Sequence, residues 1–198
     1  IGHKALEANT TADRNVGIGY QALVLNTTGA RNTAVGMDAL GANTTASYNS
    51  AFGNNTLGAN TTGEHNTAIG YEAMFDNTTG SKNVAVGMEA LANNTTASYN
   101  TAFGYESRKG SDTESSHTTS VGYRSMWLNS AATANAGYST AVGSGALNAG
   151  ALTIGAVNST VAVGYEALEF GSATTGTAQA SVAIGANALQ AGSNTTGN

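Results

Sequence analysis

The chain has 198 residues, 26 of them glycine, with no proline, no cysteine, 10% charged residues and a net charge of −5. The lack of cysteine excludes a disulfide framework and thiolate metal sites, and the acidic balance counts against a nucleic-acid partner, which calls for clustered Lys and Arg. Charge this sparse, beside 40% apolar residues, is also not the composition of disorder driven by charge repulsion. No apolar run approaches the ~20 residues needed to cross a bilayer, so no membrane insertion is expected in this segment.

From the first residues onward, glycine returns every seventeen positions: Gly2, Gly19, Gly36, Gly53, Gly70, Gly87 and Gly104. Strict self-similarity at this period marks an array of one small unit, too short to bury an apolar face alone, so the units must stack. The residue before each glycine is large and apolar (Ile18, Val35, Phe52, Ile69, Val86, Phe103), and a second such position follows four residues after it (Leu6, Leu23, Leu40, Leu57, Met74, Leu91). Segments such as Thr67-Ala68-Ile69-Gly70 alternate with the period of a strand, while the Asn, Gly and Ser between them are turn chemistry. Each unit therefore reads as one coil of a β-solenoid with two short strands, tight corners and room for about two large side chains. Equivalent residues then lie roughly 4.8 Å apart, and about eleven coils make a rod on the order of 50 Å long.

Each narrow coil also carries an Asn-Thr-Thr corner, and the file Asn9, Asn26, Asn43, Asn60, Asn77 and Asn94 reads as an asparagine ladder, amides stacked to satisfy backbone groups. Asn-x-Thr is also a glycosylation acceptor in a secretory pathway, and a file of threonines could match ice. The adjacent pair Thr44-Thr45 counts against ice binding, since neighbouring side chains point to opposite faces. A longer period of 51 residues is superposed: Tyr20 returns as Tyr71, Tyr48 as Tyr99 and Phe52 as Phe103, as a triplet duplication would leave it. Tyr20, Tyr71, Tyr105, Tyr123 and Tyr165 directly follow a repeat glycine and are expected outside, packing between coils or chains.

The gauge then changes. Gly104 to Gly122 spans 18 residues, and Gly122, Gly143, Gly164 and Gly185 are 21 apart. In between, Arg108 takes the second apolar position and charge gathers at Glu106, Arg108, Lys109, Asp112, Glu114 and His117. The chain is accordingly divided into a narrow solenoid over 1–104, a charged transition loop over 105–121 and a wider solenoid over 122–198. The added residues of the wide coils are assigned to two corners, around Leu152-Thr153-Ile154-Gly155 and Ala173-Thr174-Thr175-Gly176. Arg108, Lys109, His117 and the lone Trp127 are the candidate partner-contact residues, because loops on a rigid scaffold carry specific contacts.

Catalysis finds no footing: His3, His65 and His117 stand apart with no metal-ligand spacing, and no nucleophile motif is present. No cofactor and no metal are expected. The chain opens on Ile1-Gly2 and closes on Thr196-Gly197-Asn198, both in mid-repeat, and reads as a segment of a longer protein.

Ala180-Ser181-Val182-Ala183-Ile184-Gly185-Ala186-Asn187-Ala188 resembles the head repeat of YadA-like trimeric autotransporter adhesins, as do Thr160-Val161-Ala162-Val163-Gly164 and Ser139-Thr140-Ala141-Val142-Gly143. The Asn-Thr-Ala-Val-Gly and Asn-Thr-Thr-Gly elements are similar to repeats of phage tail-fibre-like proteins. The resemblance implies a left-handed parallel β-roll, a homotrimer about a long axis and an extracellular fibre on a virion or bacterial surface. Such a fibre would meet a host glycan or protein receptor, with end-to-end self-association through open terminal coils. The autotransporter repeat is shorter than seventeen residues, so the corners must differ.

Overall fold

A computed structural model describes residues 1–110, 115–127, 136–148, 158–169 and 180–190. The described residues contain no helix and ten three-residue strands. Through the narrow coils these are β1 (Val16–Ile18), β2 (Thr33–Val35), β3 (Ser50–Phe52), β4 (Thr67–Ile69), β5 (Val84–Val86) and β6 (Thr101–Phe103). The wider coils continue with β7 (Thr119–Val121), β8 (Thr140–Val142), β9 (Val161–Val163) and β10 (Val182–Ile184). All ten form one parallel sheet in sequence order, each strand paired with the next. The architecture is a β-solenoid, as the glycine period implies.

Register does not slip at the change of gauge: Thr101 pairs with Thr119 and Phe103 with Val121, just as Val84 pairs with Thr101. The expected loop over 105–121 is therefore narrower than its boundaries. Residues 105–108 form the same turn as in earlier coils, Thr119–Val121 is β7, and Asp112 and Glu114 lie outside the described residues. The corners expected to hold the wide coils' extra residues also lie outside them.

Two expectations about the coil are corrected. Among the described residues each coil from β1 onward contributes one strand to the sheet, not two. The second apolar position sits in a turn with left-handed backbone: Leu23, Leu40, Leu57 and Leu91 have φ of 52–54°. Such φ values cost an L-residue roughly 1–2 kcal/mol. They recur because the two left-handed residues of each turn send their N–H groups to opposite neighbours. Asp38 N–H donates down to the Tyr20 carbonyl (2.9 Å), and Leu40 N–H donates up to the Thr56 carbonyl (3.0 Å). Coils are thus hydrogen-bonded on this side too, without β geometry.

The second correction concerns which side chains fill the coil. The strand's central alanine points in (Ala34, Ala51, Ala68, Ala85 and Ala102, each 0% exposed), while the large residue before the glycine points out. Ile18, Phe52, Ile69 and Phe103 are exposed. One large side chain per narrow coil fills the interior, the file Leu23, Leu40, Leu57, Met74 and Leu91, packed against alanines. The glycines explain the tightness. A Cβ on Gly36 would lie 2.1 Å from the Gly53 carbonyl oxygen, and one on Gly70 2.5 Å from that of Gly87. Their φ values of +142° and +134° are also ones that only glycine adopts freely.

Candidate functional site

At the gauge change the interior turns polar. Arg108 takes the leucine position with the same left-handed turn (φ 50°) and the same upward bond, its N–H donating to the Ser125 carbonyl at 2.8 Å. Its side chain is 3% exposed, and an Nη donates to the Ser115 carbonyl at 2.6 Å. Arg108 is therefore not a surface contact residue: the turn that aims leucine inward aims arginine inward as well. Serines replace the surrounding alanines. Ser107 and Ser120 hydroxyls are 2.7 Å apart, Ser120 donates to the Ser125 carbonyl (2.8 Å) and Ser125 to the Ala141 carbonyl (3.1 Å).

Of the other three candidates, Lys109 and Trp127 meet only through Glu106 and Arg124, and His117 does not join them. Lys109 bonds the Glu89 carboxylate and lies 3.1 Å from Glu106, which Arg124 Nε reaches at 2.5 Å from the next coil. Burial pushes the Glu106 carboxyl up, but hydrogen bonds from Arg124 and Lys109 outweigh it and hold the group below the ordinary carboxylate range. Trp127 is half-buried, with the Arg124 guanidinium 5.4 Å from its ring centre. This cluster is internally neutralised. His117 stands elsewhere around the coil, just before β7.

The asparagine file is hydrogen-bonded along its length. Asn26, Asn43, Asn60, Asn77 and Asn94 each donate Nδ2 to the Oδ1 of the preceding asparagine at 2.8–3.1 Å, beginning at Asn9. Each also donates to the carbonyl three residues on, as Asn60 does to Gly63 (3.0 Å). From Asn26 to Asn94 the side chains are at most 1% exposed, so their amides are closed to glycosylation in the folded chain. A second ladder escaped sequence reasoning. Asn15, Asn32, Asn49, Asn66 and Asn83 each accept, through Oδ1, the backbone N–H of the next coil's asparagine at 2.9–3.0 Å. Its signal was present, asparagine at one position of every narrow coil.

Three exposed files remain for partners. The first is the outer face of the sheet, where Ile18, Val35, Phe52, Ile69, Val86 and Phe103 line up through strand pairing. The second is the residue after each glycine, where Tyr20, Tyr71, Tyr105, Tyr123 and Tyr165 lie outside, as expected. Tyr105 and Tyr123 stack at 5.4 Å. The third precedes the second asparagine ladder: Arg14, Arg31, Tyr48, His65, Lys82, Tyr99, His117 and Tyr138, all with φ of 57–63°. Its members differ in type, so no repeat search on residue identity joins them, yet from Arg14 to Tyr138 every one is aromatic or cationic, before Ser159 and Ala180 continue the file.

No family model, curated protein or solved structure matches the chain. Function must therefore be read from these surfaces. A shallow hollow of about 350 Å³ lined by Val24, Asp38, Gly41, Asn55, Gly58, Ala59 and Phe75 adds one carboxylate and one exposed ring, with no second acid or base for chemistry. Among the described residues no group of three His, Asp or Glu could hold a metal, and no helix is long and apolar enough to cross a membrane.

Proposed function

We propose that the chain is a structural and adhesive segment of an extracellular fibre, the shaft or head of a phage tail fibre or bacterial surface adhesin. Its role is mechanical, not catalytic. In this reading it is a left-handed roll of about eleven coils, three copies of which pack about a common axis. The observation that carries the reading is the outer face of the sheet. Over ten strands at ~4.8 Å spacing, a face roughly 45 Å long presents one large apolar side chain per strand. Exposed contiguous apolar surface on this scale marks an interaction site in a soluble protein. Full burial of such a side chain is worth about 1.5–3 kcal/mol, and covering these half-exposed residues would supply part of that at every strand. Identical stacked faces favour copies of the same chain as the cover, and the resemblance to trimeric adhesin heads supplies the number three.

Ice binding is the weaker reading. Thr33, Thr67, Thr101, Thr119 and Thr140 open their strands on the outer face, but the partner position in the same strands is apolar, and the Phe52 and Phe103 rings break a flat lattice match.

Sedimentation equilibrium of the full chain is expected to give three times the 19.7 kDa chain mass. Replacing Ile69→Lys and Phe103→Lys together is expected to reduce that to one chain mass while the β signature persists. A parent chain that sediments as a monomer at micromolar concentration overturns the reading.

A further inference from the structure

We propose that the third exposed file binds an extended acidic polysaccharide, through repeated cation–phenol–imidazole triads. Two such triads occur, Arg31-Tyr48-His65 and Lys82-Tyr99-His117, and they stand in corresponding coils of the longer period. In the first, Arg31 donates to the Tyr48 phenol oxygen at 2.6 Å and its guanidinium lies 5.1 Å from the ring centre. Tyr48 and His65 stack at 4.7 Å and 7°. In the second, Lys82 donates to the Tyr99 phenol oxygen at 3.0 Å and lies 4.9 Å from the ring centre, and Tyr99 stacks on His117 at 4.8 Å and 11°. Tyr138 continues this stack at 5.0 Å. The geometry recurs although the cation changes from arginine to lysine.

The chemistry of the ligand follows from what the stack leaves open. Ring faces are spent on one another and on the cations, so the file presents edges: phenol hydroxyls, imidazole N–H groups and the cationic heads. Each phenol oxygen accepts from a cation and keeps its own proton to donate outward, a charge-assisted donor suited to an oxyanion. Base stacking needs free aromatic faces, and both faces of Tyr48, Tyr99 and His117 are taken, so a single-stranded nucleic acid fits poorly. Donors repeated at the coil spacing fit carboxylates or sulfates carried on a linear glycan. The neighbouring acids are Asp13, 3.5 Å from Arg14, and Glu64, adjacent in sequence to His65. Arg31 and Lys82 have no carboxylate within ion-pair distance among the described residues, whereas Lys4, Lys109 and Arg124 each do. A chain of net charge −5 has no overall attraction for a polyanion, so binding must come from such a local stripe.

The proposal deepens the adhesive reading above by naming a ligand class, and its test is separable from that of assembly. The full chain is passed over immobilised heparin, polygalacturonate, neutral dextran and single-stranded DNA, with its mass measured in parallel. Retention on heparin or polygalacturonate, and not on dextran or DNA, is expected, and the two acidic columns distinguish sulfate from carboxylate. Arg31→Gln with Lys82→Gln is expected to weaken binding roughly tenfold. Tyr48→Phe with Tyr99→Phe keeps the rings and is expected to weaken it several-fold at unchanged melting temperature. Lys4→Gln with Arg124→Gln removes equal charge elsewhere and is expected to leave retention intact. No retention on either acidic column, equal loss in the Lys4/Arg124 control, or tighter retention on DNA overturns the proposal. A normal oligomer mass beside any of these results sinks the ligand assignment alone.

Discussion

Gly70→Ala is expected to destabilise the solenoid by about 4 kcal/mol or more, enough to lower the melting temperature by roughly 10 °C or prevent folding. Two costs combine. The backbone at Gly70 has φ +134°, which an L-residue adopts only under strain, and the new Cβ would lie 2.5 Å from the Gly87 carbonyl oxygen and 2.6 Å from its carbon. The obstacle is backbone, so no rotamer change relieves it. The coils must separate, which stretches the bonds Gly70 N–H to Phe52 carbonyl and Gly87 N–H to Ile69 carbonyl, both 2.8 Å. Gly41→Ala is the control. Its Cβ meets nothing closer than the Asp38 carbonyl oxygen at 3.2 Å, on a backbone outside the left-handed region, and a change under about 1 kcal/mol is expected. Thermal unfolding followed by circular dichroism checks both. A Gly70→Ala chain melting within a few degrees of the parent would show that the coils are not in backbone contact there.

The second large effect is expected at the first asparagine ladder. Asn60→Ala removes the donor to Asn43 Oδ1 (3.1 Å), the donor to the Gly63 carbonyl (3.0 Å) and the acceptor for Asn77 Nδ2 (2.8 Å). All of these groups are buried in a corner where water has no access. A buried polar group left unpaired costs about 1–3 kcal/mol, so a loss on the order of 3–5 kcal/mol is expected, after discounting the Gly63 carbonyl, which keeps the Asn49 amide at 2.8 Å. Asn60→Asp separates hydrogen bonding from shape. Its carboxylate can only accept, and burial raises its pKa, so the deficit should be largest near neutral pH. It should shrink as the pH falls and the acid regains one donor. Denaturant unfolding at two pH values reads this, and an Asn60→Asp chain whose deficit grows on acidification contradicts the ladder.

These two files also mark how far the fold was legible. Gly19 through Gly104 announced themselves because backbone contact tolerates no Cβ at any coil, so the constraint repeats with the structure. Asn26 through Asn94 did so because each amide uses its neighbours' amides as partners, which requires the same residue at each coil. Where the structure asks only for a shape, the sequence was silent. Alternation in Thr67-Ala68-Ile69 gave a strand but not its inward face. Burying isoleucine is the usual choice, and only the narrowness of the coil reverses it. Leucine at φ near +53° runs against its intrinsic preference, so Leu40 read as strand and not as turn. Arg108 looked exposed because charge usually is, while its backbone bonds held it to the leucine position. The file that runs through Tyr48, His65, Lys82 and Tyr99 was hidden for the opposite reason: its members share chemistry, not identity.

The central claim is that the third residue of each strand faces outward and is covered by further copies of the chain. The absence of cysteine lets single thiols report on it. Ile69→Cys, on the sheet face, and Thr45→Cys, on an exposed corner, should be oxidised in parallel at low concentration and the products sized under denaturing conditions. The expected result is rapid cross-linking of Ile69→Cys into covalent pairs, with slow reaction toward a bulky maleimide, and neither behaviour for Thr45→Cys. Free, rapid labelling of Ile69→Cys without cross-links would contradict the claim, leaving the apolar face open in solution and the fibre assembly without its interface.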